Sequence, residues 1–93
     1  MPTMKDVYIA IARFEHSPNP LTLAPGFQQE YKLRISRFLD MLRQEQGDTL
    51  AQESHLPPET SLGRVSSQAF HELRELMTPG TVAWNAFAKP VAA

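Results

Sequence analysis

The sequence lacks cysteine altogether, and it has four glycines, one tryptophan and no long hydrophobic run. Without cysteine the chain can form no disulfide, no thiolate metal site and no thiol nucleophile. Its first apolar stretch is short and interrupted by Arg13, whereas a membrane span needs about 20 apolar residues. We therefore expect no membrane partner, and we expect the cytoplasm as the compartment.

An excess of charge of one sign is also missing. Nine Lys plus Arg stand against ten Asp plus Glu, which gives a formal net charge of −1. Such a balance provides no overall attraction toward phosphate backbones, so nucleic acid is a less favoured partner than protein. Hydrophobic residues make up 42% of the 93 residues, which predicts a folded chain with a single small domain.

The first segment, residues 3–15, fits two kinds of secondary structure. Thr3 and Asp6 have a spacing close to that of a capping box, which predicts a helix. Residues 7–11 are rich in β-branched side chains and apolar on both faces, which favours a strand. The cap makes helix the preferred interpretation. A strand would also need a pairing partner from another chain.

The clearest helical pattern lies at residues 26–46. Large apolar side chains recur there on one face, interrupted only by Arg34, whose guanidinium we expect to stay in water. Gly47 lies where this helix should end. The apolar face comprises Phe27, Tyr31, Ile35, Phe38, Leu39, Met41 and Leu42.

Two shorter helices are predicted after Gly47. Asp48 is a suitable N-cap for a helix over residues 49–54. A further helix should begin between Pro58 and Ser66 and end near Met77, where a Thr-Pro-Gly sequence follows. Its apolar face comprises Leu62, Val65, Ala69, Leu73, Leu76 and Met77, with Phe70 at the edge.

Residues 79–93 form a C-terminal segment that is too short to be a stable helix unless it docks. Trp84, Phe87 and Val91 either cover the domain's own core or anchor a partner, because tryptophan is enriched at binding hot spots. The two roles are compatible with each other in different states of the protein. The segment is therefore expected to dock on the domain or on a partner.

Together these patterns predict an all-α fold. Residues 1–78 should form a small bundle of three to four helices, built on the long central amphipathic helix. The C-terminal segment adds a short helix. The sequence contains no internal repeat, so repeats give no indication of a second domain.

Motifs for catalysis or metal binding are missing. His71 and Glu72 match only the first half of the zinc motif H-E-x-x-H, because Glu75 stands in place of the second histidine. The four glycines are scattered and form no phosphate-binding loop. We therefore predict no catalytic residue, no metal ligand and no cofactor.

Residues 50–65 resemble the helix-turn-helix of bacterial regulators. A short helix with an inward alanine, a turn and a Pro-Glu-Thr sequence would lead into the recognition helix. Ser54 is a departure, since the motif has an apolar residue there. The resemblance implies that major-groove contacts are made by Glu59, Thr60, Ser61 and Arg64.

The preferred functional hypothesis follows by elimination. It is a small non-enzymatic protein that binds another protein, or a second copy of itself, as an accessory subunit, inhibitor or regulator of a larger cytoplasmic assembly. Its candidate partner-binding residues are Trp84, Phe87 and Val91. The alternative is a helix-turn-helix DNA-binding regulator that uses residues 49–66, and salt-dependent retention on DNA would favour that alternative.

Overall fold

Four helices make up the regular structure of the described residues. The computed structural model describes residues 2–16, 24–48 and 55–87. The helices are α1 at Met4–Glu15, α2 at Pro25–Gln46, α3 at Arg64–Met77 and α4 at Val82–Phe87. The predicted all-α architecture, with a long central helix and a short C-terminal one, is confirmed. The helix predicted at residues 49–54 lies outside the described residues.

Helix α1 begins where the capping residues predict. The backbone amide of Thr3 donates to Asp6 Oδ2 at 2.9 Å, and the negative charge of Asp6 favours the N-terminal end of a helix. Val7 is buried, and the residues that follow it are helical. The helix interpretation of the first segment is confirmed, and the strand alternative is wrong.

Helix α2 begins at Pro25, one residue before the predicted start, and ends at Gln46 with Gly47 as its C-cap, as predicted. Gly47 adopts a φ of +66°, a conformation that glycine reaches without a steric penalty. Of the predicted apolar face, Phe27, Phe38 and Leu42 are buried, whereas Leu39 is 36% exposed. Among the described residues, no helix has both the length and the apolar content that a membrane crossing requires.

The expectation that the Arg34 guanidinium stays in water is wrong. Its Nε donates to Glu30 Oε1 at 2.9 Å, and its Nη1 donates to the backbone carbonyl of Glu72 at 2.7 Å. The Arg34 side chain is 16% exposed. A carboxylate one turn away and a carbonyl with a spare lone pair together replace the lost water, so Arg34 joins α2 to α3.

The first turn of α3 differs from the prediction in which side chain it buries. Val65, placed on the apolar face from sequence, is 51% exposed, whereas Ser66 is fully buried. The amides of Val65 and Ser66 and the Ser66 hydroxyl all donate to the carboxylate of Glu45 on α2. This polar contact turns Ser66 toward α2 and leaves Val65 in solvent.

Two hydrophobic clusters form the core between these helices. The clusters lie along α2 and α3. Met4 and Val7 of α1 belong to the first cluster, and Ala83 and Trp84 of α4 belong to the second. The first comprises Met4, Val7, Phe38, Leu42, Leu56, Leu62, Ala69 and Phe70. The second comprises Phe27, Leu76, Ala83 and Trp84.

Candidate functional site

Three of the four residues proposed to read DNA lie outside a helix. Glu59, Thr60 and Ser61 precede α3, and among the four residues only Arg64 belongs to it. The amide of Met4 donates to the Thr60 carbonyl at 2.9 Å, and Thr3 forms an isolated antiparallel bridge with Ser61. The predicted recognition-helix geometry is therefore wrong.

The start of α1 explains why residues 59–61 do not form the first turn of a recognition helix. The first amides of a helix have no partner within the helix, and here carbonyls of the segment before α3 accept two of them. The second of these bonds runs from the Lys5 amide to the Pro58 carbonyl at 2.8 Å. The segment serves as a cap for α1, and DNA binding as such stays a prediction.

The C-terminal aromatic residues lie against the domain's own core. Trp84 is 7% exposed and meets the Phe27 ring edge-on, with the ring centroids 6.0 Å apart. Thr81 caps α4, since its Oγ1 accepts the Trp84 amide at 3.1 Å and donates to the Glu75 carbonyl at 2.5 Å. This burial favours the core-covering role of Trp84.

Two other parts of the predicted partner site have different positions. Phe87 is half-buried, with the Arg34 guanidinium 5.9 Å from its ring centre. Val91 lies outside the described residues. A partner contact through Trp84, Phe87 and Val91 stays a prediction.

Within the described ranges, the histidines belong to no cluster that could hold a metal ion. No group of three His, Asp or Glu side chains converges there in a way that could hold a metal ion. His71 is exposed on α3. His55 stacks on the Tyr8 ring at 4.5 Å, and the Tyr8 hydroxyl donates to the Leu56 carbonyl at 2.7 Å. The ring stack and the hydrogen bond are both explained by the packing of Tyr8 against residues 55 and 56.

A groove that the sequence did not reveal lies between the end of α1 and the end of α3. Its volume is about 290 Å³, and one wall is the ring of Phe14. We call it the Phe14 groove. It is lined by Ala10, Arg13, Phe14, Arg74, Met77, Thr78 and Pro79.

A second pocket, lined mostly by α2 residues, also includes Phe14 in its lining. This aromatic cleft has a volume of about 260 Å³ and is lined by Phe14, Phe27, Gln28, Tyr31 and Lys32. Burial, and next the negative charge of Glu15, raise the pKa of the Tyr31 phenol above its ordinary value. Tyr31 therefore stays a neutral hydroxyl across the physiological pH range.

The charges of the Phe14 groove come from two arginines. Arg34, Arg37 and Arg43 each pair with a carboxylate, at 2.9, 3.2 and 3.9 Å respectively. Arg13 and Arg74 line the groove, and neither forms an ion pair with another described residue. The groove thus combines apolar walls with two cations that have no partner of opposite charge in the described chain.

One sequence signal could have drawn attention to these arginines. Neither Arg13 nor Arg74 has an acidic residue three or four positions away on either side, which are the spacings at which helical side chains pair. That signal alone does not show that both arginines face one groove. Their juxtaposition depends on how α1 packs on α3.

In comparisons with known proteins, no protein-family model, no curated protein and no solved structure matches this chain. The function must therefore be inferred from the geometry of the chain itself.

Proposed function

We propose that this protein is a small non-enzymatic binding module that holds a segment of another protein in the Phe14 groove. In this role it would serve as an accessory subunit, inhibitor or regulator of a larger cytoplasmic assembly. The observation that carries the proposal is a pair of arginines that line an apolar groove and form no ion pair with any described residue. A protein surface of this composition attracts a complementary surface.

The dimensions of the site support a peptide segment as its occupant. Sites for small molecules and cofactors have volumes of about 300–1,000 Å³ and enclose most of the ligand. The Phe14 groove, at about 290 Å³, is at the lower limit of this range. A second pocket of about 260 Å³ shares the Phe14 ring, so two side chains of one peptide could each occupy a pocket.

The position of Phe14 also supports a binding role. The ring contacts Phe27 and Tyr31, with centroid distances of 5.6 and 5.3 Å, so α2 holds it in place. A fixed aromatic ring loses little conformational entropy when a partner packs on it. Phe14 is therefore suited to be the anchor of an interface.

Site-specific photocrosslinking in cells of the source organism tests this proposal. A photoreactive phenylalanine would replace Pro79, which is exposed and lines the groove. The control position is Leu33, which is 52% exposed on α2 and lines neither pocket. We expect one partner protein to be crosslinked at position 79 and not at position 33, with the contact peptide identified by mass spectrometry.

Three outcomes would contradict the proposal. The first is crosslinking of the same proteins at positions 79 and 33, which would indicate random encounters. The second is an intramolecular crosslink from position 79 to residues 17–23 or 88–93, which would make the groove part of the chain's own fold. The third is recovery of nucleic acid with salt-dependent retention, which would favour the DNA-binding alternative.

A further inference from the structure

We infer that the segment held in the Phe14 groove carries an apolar side chain flanked by aspartate or glutamate, with the carboxylates paired to Arg13 and Arg74. This inference rests on the proposed function and adds the chemistry of the partner. Each arginine comes from a different helix, and the apolar walls lie between α1 and α3. The arrangement fits an acidic amphipathic peptide.

Within the described ranges, no acidic residue forms an ion pair with the two arginines of the groove. Glu15 and Glu75 are close in sequence to Arg13 and Arg74, but neighbouring or second-neighbour residues on a helix do not face each other. Burial, and next the negative charge of Glu15, raise the pKa of Tyr31, which lines the aromatic cleft. None of the described residues that line the groove is acidic.

Stacking holds one of the two arginines at the surface. The Arg74 guanidinium lies 5.4 Å from the ring centre of Phe70, which is itself fully buried. An arginine stacked on an aromatic ring keeps its N–H groups free for a planar acceptor. A carboxylate matches this donor geometry with two parallel hydrogen bonds.

The walls favour a peptide over a phosphate backbone. Phe14, Met77 and Pro79 are apolar residues that line the groove, and an apolar side chain of the partner would remove their surface from water. Nucleic acid would leave the apolar wall uncovered unless a base stacked on Phe14. An apolar residue between two carboxylates satisfies both parts of the groove.

Peptide selection against the purified full chain tests this inference. A displayed library of short random peptides is panned on the parent protein, and the affinities of the enriched peptides are measured by fluorescence anisotropy. We expect enrichment of apolar residues next to Asp or Glu. Arg13→Glu and Arg74→Glu should each weaken these peptides about tenfold or more, because attraction becomes repulsion.

Arg64→Glu is the matched control. Arg64 is exposed, lacks an ion pair with the described residues and lies at the other end of α3, so its reversal changes the net charge equally and should leave affinity unchanged. Arg13→Gln and Arg74→Gln provide milder changes should a reversal unfold the chain. Amide resonances of Ala10 and Met77 should shift on peptide addition.

Several results would overturn the inference. They are the absence of any enriched peptide, enrichment of peptides without acidic residues, equal weakening by Arg64→Glu, and tighter binding of a single-stranded DNA probe that depends on the same arginines. A crosslinked natural partner whose contact peptide lacks Asp and Glu would contradict this inference alone. In that case the proposed function would stand.

Discussion

Adjacent serines on α3 have opposite hydrogen-bonding situations. The Ser66 hydroxyl donates to the carboxylate of Glu45, whereas the Ser67 Oγ is buried and has no hydrogen-bond partner among the described residues. A buried polar atom without a partner costs about 1–3 kcal/mol. The pair therefore allows a matched test of the same substitution at neighbouring positions.

We expect Ser67→Ala to leave the free energy of unfolding unchanged or to raise it by up to about 1 kcal/mol, because a costly buried hydroxyl is removed. Ser66→Ala should lower the free energy of unfolding, since it removes the hydrogen bond to Glu45. Denaturant unfolding of both variants measures the difference. A Ser67→Ala variant less stable than Ser66→Ala would mean that these environments are wrongly assigned.

Glu45 makes the stability of the chain dependent on pH. The hydrogen bond from the Ser66 side chain is the main cause that holds the pKa of Glu45 below its ordinary value of 4.5, against the opposing effect of desolvation. The backbone amides of Val65, Ser66 and Gly63 lower the pKa further. A carboxylate with a lowered folded-state pKa stabilises the fold above its unfolded pKa.

The stabilisation by Glu45 should be fully present above a pH of about 4.5, the ordinary pKa of the group. It should be lost as the pH falls through the lower folded-state pKa. Glu45→Gln should therefore melt at a lower temperature than the parent at neutral pH. The gap between the two melting temperatures should narrow with acidification. A gap that stays constant across the pH series would show that the ionised carboxylate contributes nothing.

At the scale of the elements, α2 depends on a narrow buried stripe. Phe38 is 3% exposed, and its ring lies 5.9 Å from that of Phe70 on α3. Phe38→Ala should lower the free energy of unfolding by about 3–5 kcal/mol, since it leaves a cavity between the helices. Leu39→Ala is the control, because Leu39 is 36% exposed on the same helix. Equal losses for the two variants, measured by denaturant unfolding, would contradict this packing.

Helix α4 is expected to act as part of the core. Trp84→Ala should lower the free energy of unfolding by about 3–5 kcal/mol, whereas Val82→Ala should have little effect because Val82 is 84% exposed. Thermal melting tests the stability, and calorimetric titration with an identified partner tests the binding. A loss of affinity of about thirtyfold with an unchanged melting temperature would instead assign Trp84 to a partner interface.

The elements could be predicted from sequence wherever local signals decide them. The start of α1 depends on Thr3 and Asp6, and the end of α2 depends on Gly47. These interactions lie within one turn of chain, so residue spacing contains the necessary information. The start of α3 also fell inside its predicted range.

Features that depend on a second element could not be predicted. Gly63 precedes α3, and a Cβ at this position would collide with the Glu45 carboxylate on α2. Arg34 bonds a carbonyl 38 residues away in sequence. The Phe14 groove depends in the same way on the packing of α1 against α3.

At the scale of the whole molecule, the stabilising contact with Glu45 and the proposed binding groove lie at opposite ends of α3. Glu45 contacts the first turn of α3, whereas Arg74 and Met77 at its last turn line the Phe14 groove. Ser66 and Met77 are separated by about 16 Å along the axis of an α-helix. Variants at Glu45 or Ser67 should therefore change stability without changing the groove.

A partner is proposed to bind in the Phe14 groove. The most direct test is the equilibrium affinity of the crosslinked partner for an Ala10→Phe variant, whose added ring should fill the groove. The control is Leu33→Phe, which enlarges an exposed position on α2 outside both pockets. Circular dichroism and thermal melting verify that both variants remain folded.

We predict that Ala10→Phe weakens the partner about tenfold or more, equivalent to at least ~1.4 kcal/mol of binding free energy, while Leu33→Phe binds like the parent. The physical reason is that a filled groove cannot accept the partner's apolar side chain. A folded Ala10→Phe variant that binds the partner with the parent's affinity would contradict the claim.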